Sequence, residues 1–390
     1  MLALTRPRMA VLIAAVATFA LLPMAPASAQ TWDFVKLADS QEEGFDPFGF
    51  GCASINAPGD IAFRAERFEP DGSNTTPGIY RANASDASLT TIVENRRRFR
   101  SISANPSMND RGVVSFAATH DDGSEAIMRG RGDRLAVLAS TRAQFLFFGF
   151  DTSVNDAGRV AFKAELDPRF DFDEGLFSAR HKGAVTTHYL ASSSQFDGTD
   201  ARPSINDHSV IAFGESVDFN RGIFKTAGDD FVTIAPPDPD GNIGYGEPQL
   251  NNAGTAAFER SYFDVAADEF VSEIVTGAGG PITVVADTRG EFSFFGFRPP
   301  SLNDHGGIAF HATLDDFETH GIFTGPDPVA DRVIVTGDTL DGATVRNITF
   351  CEEGLSEFGE LGFVAALEDA DAPEGFRVAV FRATRSATPE

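Results

Sequence analysis

The residues in this chain best placed to do chemistry are carboxylates in short acidic segments and phenylalanines in short aromatic ones. The acidic segments are Asp167-Pro168-Arg169-Phe170-Asp171-Phe172-Asp173-Glu174, Asp315-Asp316-Phe317-Glu318 and Glu368-Asp369-Ala370-Asp371. The aromatic ones are Phe48-Gly49-Phe50, Phe147-Phe148-Gly149-Phe150 and Phe294-Phe295-Gly296-Phe297. Aromatic rings suit the apolar faces of sugars, and carboxylates accept hydrogen bonds from hydroxyls. Phe148, Phe295, Asp171, Asp173, Asp315 and Asp316 are therefore the candidate ligand-binding residues, for a glycan or a protein partner. Clustered carboxylates also suit a hard cation, which makes Asp167, Asp171 and Asp173 the candidate calcium ligands, although their spacing lacks the Gly at the sixth position of a calcium loop. Two carboxylates across a channel would instead serve a glycan-cleaving enzyme, which needs one acid of raised pKa and one of ordinary pKa. A binding module is the first expectation; a carbohydrate-active enzyme and a calcium-dependent surface protein are the alternatives.

Other chemistries find little footing. The sequence has no HExxH, CxxC, Gly-x-Ser-x-Gly or phosphate-binding glycine loop. Its seven His residues are scattered, and His208 and His305 share one turn position in two repeats, which marks a tolerated turn residue more than a metal ligand.

Residues 1–29 have the pattern of a secretory leader. Arg6 and Arg8 form a basic start, Met9 to Leu22 an apolar stretch, and Ala27-Ser28-Ala29 a small-residue cleavage site. Export to the periplasm or beyond is expected, with cleavage after Ala29. Of 31 Lys and Arg residues two lie in this leader, leaving 29 against 57 Asp and Glu and a formal charge of −28. Such a surface repels phosphate backbones and anionic headgroups, so neither nucleic acid nor membrane is an expected partner. The one basic run, Arg96-Arg97-Arg98, reads as a solvated loop. Residues 30–390 are expected to form a single domain and a monomer.

The elements that must position these residues repeat. In Asn109-Asp110-Arg111-Gly112-Val113-Val114-Ser115-Phe116, an Asn is followed three residues later by Gly and seven later by Phe. Asn56, Asn155, Asn251 and Asn303 begin equivalent copies; Asn206 has Ser209 in place of Gly, and Ser356 replaces the Asn of the last. The seven Phe residues (63, 116, 162, 213, 258, 310 and 363) recur every 45–53 residues, the spacing of a propeller or a solenoid. Asn tolerates left-handed backbone and Gly supplies positive φ, so each Asn-x-x-Gly is a hairpin turn.

The following strand carries Phe on one face and a small residue on the other, as a strand between two neighbouring sheets must. Residues 290–337 show one unit: a strand over 298–302, a second over 307–314, a third at Gly321-Ile322-Phe323 and a fourth over 332–335. Four such strands make a propeller blade. Phe34 to Ala38 reads as a fourth strand without its first three, and Phe376 to Arg382 as a third strand without its fourth. The fold expected is an all-β, seven-bladed propeller whose last blade is closed by the N-terminal strand. Cys52 and Cys351 hold corresponding places in the first and last units, which closure makes neighbours, so a disulfide between them is expected.

Copies such as Asn155-Asp156-Ala157-Gly158-Arg159-Val160-Ala161-Phe162 resemble the bacterial exported tandem-repeat proteins with a recurring Asn-Gly-Ala-Phe signature. The resemblance covers essentially the whole chain after residue 29. It implies a bacterial exported protein and no established activity or catalytic residues. Members often carry a C-terminal sorting anchor, whereas this chain ends Ser386-Ala387-Thr388-Pro389-Glu390.

Overall fold

The structure is a computed structural model that describes residues 30–386, apart from 71, 73, 96–98, 133, 168, 170–172, 199–201 and 297. Residues 1–29, the expected leader, and Arg96-Arg97-Arg98 thus lie outside the described residues. Seven antiparallel four-stranded sheets form a ring of blades. Blade three runs outward from the axis through Phe145–Val154, Val160–Leu166, Glu174–His181 and Ala184–Leu190. In blade seven, Ala343–Thr349, Leu361–Glu368 and Phe376–Arg385 come from the C-terminal end of the chain. Its outer strand, Trp32–Asp39, comes from the N-terminal end and pairs antiparallel with Phe376–Arg385.

Each Asn-x-x-Gly joins the innermost strand of a blade to the second. At Asn155 the turn closes through Gly158 N to Asn155 O at 2.8 Å and Asn155 N to Arg159 O at 3.1 Å. The third residue after the Asn needs positive φ: Gly158 has +73°, and Ser209, standing in for Gly, is held at +61°.

The seven repeat Phe residues lie on the second strands, none more than 2% exposed. Each packs against the small residue of the preceding blade. Ala62 contacts the cluster of Phe116, Ala161 that of Phe213, Ala212 that of Phe258 and Ala257 that of Phe310. Gly362 closes the series, because a Cβ there would lie 3.0 Å from Ile55 Cβ in blade one. Alternation of large and small along one strand thus builds seven equivalent interfaces, and each buried Phe contributes on the order of 1.5–3 kcal/mol of transfer free energy. Closure is also covalent: Cys52 and Cys351 form a disulfide across blades one and seven.

In blade one Phe48-Gly49-Phe50 precedes the innermost strand, Ala53–Ile55, whereas in blades three and six the aromatic segments form the upper half of the innermost strand: Phe145 pairs with Leu166 and Phe148 with Ala164, as Phe292 pairs with Leu314 and Phe295 with Ala312. A register shift between Phe148 and Thr152 separates this half from the lower one. In blade six the strand is accordingly in two pieces, Phe292–Phe295 and Ser301–Leu302, rather than one over 298–302.

Candidate functional site

Because every innermost strand runs from the upper face down to its Asn turn, residues at a fixed offset from that Asn form a tier around the axis. The Asn tier is a hydrogen-bonded ladder. Asn109 Nδ2 donates to Asn155 O at 2.8 Å, and Asn155, Asn206 and Asn251 each donate to the next blade's carbonyl at 3.0 Å. Asn303 Nδ2 donates to Ser356 O at 3.1 Å. Each Oδ1 turns back to accept the backbone N–H four residues on, as Asn206 does from Val210 at 3.0 Å. An amide carries its acceptor and its donor on separate atoms, so one side chain reaches both its own turn and the next blade's carbonyl, whereas Asp has no donor when ionised and Ser has a single oxygen on a shorter stem.

One residue beyond the Asn, a lower rim holds Asp110, Asp156, Asp207, Asn252, Asp304 and Glu357. Each side chain accepts the backbone N–H of the preceding blade's rim residue, from Ala57 N to Asp110 Oδ1 at 2.6 Å round to Asp304 N to Glu357 Oε2 at 2.9 Å. Partial burial, with repulsion from Asp110 and Asp207, holds the Asp156 carboxyl above the usual range. The mouth within this rim has a volume of about 150 Å³.

Two residues before the Asn stands a serine tier. Ser54, Ser107, Ser153, Ser204 and Ser301 each accept the backbone N–H of a residue in the next blade's innermost strand, at 2.9–3.1 Å. Blade seven has Gly354 instead, and Glu353 reaches into the gap. Its Oε1 accepts from Ser107 Oγ at 2.7 Å and its Oε2 from Ser54 Oγ at 2.8 Å and Met108 N at 3.1 Å. Burial, reinforced by the charge of Glu352, pushes the Glu353 carboxyl up to about 7.

The top tier, four residues before the Asn, is irregular: Cys52, Asn105, Asp151, Arg202, Glu247 and Glu352, with Arg298 offset by one in blade six. Asn105 Nδ2 donates to Asp151 Oδ1 at 2.5 Å, Arg202 Nε pairs with Asp151 Oδ2 at 2.8 Å, and Arg202 N donates to Glu247 Oε2 at 3.2 Å. Burial raises Glu247 against the opposing pull of Arg221 and Arg202. Three polar atoms of this tier, Asn105 Oδ1, Arg298 Nη1 and Glu352 Oε2, are buried without a hydrogen-bond partner. Beside the tier a cavity of about 530 Å³ opens between blades two and three, lined by Asn105, Glu125, Phe148, Phe150, Asp151, Arg202 and Glu247 among others.

The structure disperses the residues picked out from sequence. Phe148 and Phe295 are buried, 2% and 1% exposed, with their rings packed edge-to-face against Phe162 and Phe310 of their own blades. Phe148 reaches the cavity wall from within; the ring that stands out into solvent there is Phe150, 66% exposed. Asp171 lies outside the described residues. Asp167 is buried and held by Arg169, whose nearby charge and hydrogen bonds lower it to about 2. Asp173 is also buried and accepts from Ser192 N at 3.0 Å. Asp167 and Asp173 are therefore engaged with protein partners. Asp315 and Asp316 are exposed on blade six, and Asp316 is tied into its own loop by Thr319 N at 2.7 Å. Sequence reasoning overlooked the top tier, whose signal is a charged or polar residue at a fixed offset from each repeat Asn.

A family model covers residues 55–388, so nearly the whole ring is matched. The chain belongs to DUF7453, a family of unknown function. No curated protein matches it. Among solved structures it is similar to the acylaminoacyl peptidase of Pyrococcus horikoshii (TM-score 0.50, 6% identity, 86% of this chain and 52% of that one). It is also similar to the β-propeller domain of the Trilobed protease from Pyrococcus furiosus (TM-score 0.38, 10% identity, 71% and 92%). A PL25 ulvan lyase gives a TM-score of 0.47 at 12% identity, over 89% of this chain and 95% of that one. At these identities the likeness establishes the propeller fold alone. Among the described residues no helix is long and apolar enough to cross a membrane.

Proposed function

We propose that the chain is an exported binding module that seats a polyhydroxylated ligand, a glycan segment, in the upper cavity between blades two and three. The observation that carries this reading is the cavity itself. It holds about 530 Å³, enough for one or two sugar rings, and its lining combines the exposed Phe150 ring with Asn105, Asp151, Glu125, Glu247 and Arg202. A sugar offers an apolar face to the ring and hydroxyls that both donate to carboxylates and accept from a guanidinium. The acidic surface disfavours a polyanionic ligand, so a neutral glycan is the expected class.

The catalytic alternative is favoured by one feature, the adjacent carboxylates Glu352 and Glu353, the latter raised to about 7. The spaces they share, however, are a chamber of about 10 Å³ and the lower mouth of about 150 Å³, both below the roughly 300 Å³ of an ordinary ligand pocket. Binding therefore remains the better reading. The test is retention of the purified chain on a broad glycan array, alongside Phe150→Ala and Glu247→Gln. Retention of the parent chain on a defined neutral glycan, weakened at least 10-fold by either substitution, is the expected result. A blank array would end the glycan reading and turn attention to protein partners.

A further inference from the structure

Where blades one, two, three and seven meet at the axis there is a second, smaller chamber. Its volume is about 10 Å³, room for one water-sized species, and Cys52, Asn105, Ser107, Thr152, Glu352 and Glu353 contribute to its wall. We infer that this chamber is a binding site for a single hard metal cation, calcium in the first instance, with Asn105 Oδ1, Glu352 and Glu353 as protein ligands.

Three observations carry the assignment. The wall presents acceptors in excess: Asn105 Oδ1 and Glu352 Oε2 are both buried and both lack a hydrogen-bond partner. Glu353 Oε1 accepts only from Ser107 Oγ among the bonds described, which leaves it a lone pair. Second, two neighbouring carboxylates line this space, and a cation bound between them would relieve their mutual repulsion. Arg202 and Arg298 act on Glu352, but Asp151 offsets part of that and Arg202 is itself paired with Asp151. Third, the ligand chemistry selects the class of ion. The two sulfurs lie near a Glu352 oxygen but are joined to each other, so no thiolate is offered. The remaining donors are carboxylate and amide oxygens, the set preferred by calcium over zinc or copper. A water molecule would donate to the two unpaired acceptors without relieving the repulsion between the carboxylates.

This site is distinct from the acidic loop that sequence reasoning marks for calcium, and it does not depend on the ligand of the upper cavity. An ion here would tie the innermost strand of blade seven to blade two beside the disulfide.

The experiment uses the chain from residue 30 onward, stripped with chelator and titrated calorimetrically with calcium chloride. Magnesium and sodium chlorides form parallel arms, and thermal melts are recorded with each salt. One calcium per chain and a melting temperature raised by several degrees are expected. Glu352→Gln and Asn105→Ala should each weaken calcium binding at least 10-fold, while Asp316→Asn on an outer loop leaves it unchanged. Asn105→Ala removes no charge, so it carries the test if Glu352→Gln fails to fold by circular dichroism. Neither heat nor a shifted melt in any of the salts would overturn the assignment, the chamber then holding water. Undiminished calcium binding by folded Asn105→Ala would also overturn it, by placing the ion elsewhere.

Discussion

If the Asn ladder holds the blades at their spacing, removing one rung should cost a calculable amount. Asn206 is 5% exposed and makes three side-chain bonds: Nδ2 to Asn251 O at 3.0 Å, and Oδ1 from His208 N at 3.1 Å and Val210 N at 3.0 Å. A neutral hydrogen bond is worth about 0.5–1.5 kcal/mol net, and a buried donor left unpaired adds to that, so Asn206→Ala should cost about 3 kcal/mol. Serine, which blade seven uses at Ser356 to accept Glu360 N at 3.1 Å, keeps an acceptor but loses the donor to the next blade. Asn206→Ser should therefore cost about 1 kcal/mol.

Aspartate preserves shape but sets a carboxylate against the Asn251 carbonyl. At pH 7 Asn206→Asp should be the least stable of the three. Burial and that carbonyl raise its folded pKa, so protonation restores stability below the unfolded pKa, and the recovery is lost as pH rises through the folded value. Relative to the parent chain at the same pH, it should thus recover at pH 4, where the protonated acid can donate again. Urea unfolding of the four proteins at both pH values measures the order directly. For some 360 residues, about 3 kcal/mol corresponds to a melting shift of only about 4 °C, so denaturant midpoints are the sharper readout. If Asn206→Ala costs under about 0.5 kcal/mol, the ladder accompanies blade packing without contributing to it, and the argument for Asn at this position fails.

Replacing Cys52 and Cys351 together by Ser opens a cross-link spanning 299 residues of sequence. It should destabilise by about 2–5 kcal/mol, read as a lower urea midpoint; an unchanged midpoint would mean that the shared blade closes the ring unaided. Burial holds the imidazoles of His188 and His311 down at about 4, with Arg159 adding to the effect on the first and His320 on the second. Their contribution is complete above the unfolded value near 6.5 and is lost as pH falls through about 4, by at most about 3 kcal/mol each. His188→Gln and His311→Gln should flatten the acid limb of a stability–pH profile, and superimposable profiles would refute this. Lys163, 4% exposed, pairs at 3.1 Å with Glu215, which is fully buried and also accepts from Tyr189 Oη at 2.6 Å. Lys163→Met removes the ammonium that pairs with this buried carboxylate and should cost about 3–5 kcal/mol in chemical unfolding, a small loss arguing that its other contacts, Tyr189 among them, suffice.

What the sequence made legible is whatever a strand expresses through alternation or a turn through residue type. The Asn-x-x-Gly turns, Phe backed by Ala, and the complementary terminal strands each have one structural solution, and together they specify the closed ring. The aromatic segments were not legible in the same way. Phe145 and Phe148 are three residues apart yet both point into the core, because a register shift between Phe145 and Phe147 breaks the two-residue period that identifies a buried strand face. Without that period, Phe-Gly-Phe reads equally well as a loop, and its rings as a binding surface. The tiers around the axis were hidden for another reason. Ser and Asp at fixed offsets from an Asn look like ordinary turn residues until the innermost strand is known to line a channel, when they become rings.

Those rings also separate structure from specificity. A seven-fold repeat that uses its polar side chains to bond the neighbouring backbone must use the same residue in nearly every blade, because each blade presents the same N–H and C=O. The Asn and Ser tiers obey this, and even the lower-rim carboxylates each take a backbone N–H from the blade before. The top tier does not: Cys, Asn, Asp, Arg, Glu, Arg and Glu follow one another around it, and among the described residues it is the one of the four tiers with polar side-chain atoms buried without partners. Neighbouring backbone cannot select such a series, since it is the same in every blade. An asymmetric object at the axis can. The upper mouth, with the cavity that opens onto it and the small chamber beside it, is where this ring departs from its own symmetry, and therefore where a ligand has most to recognise.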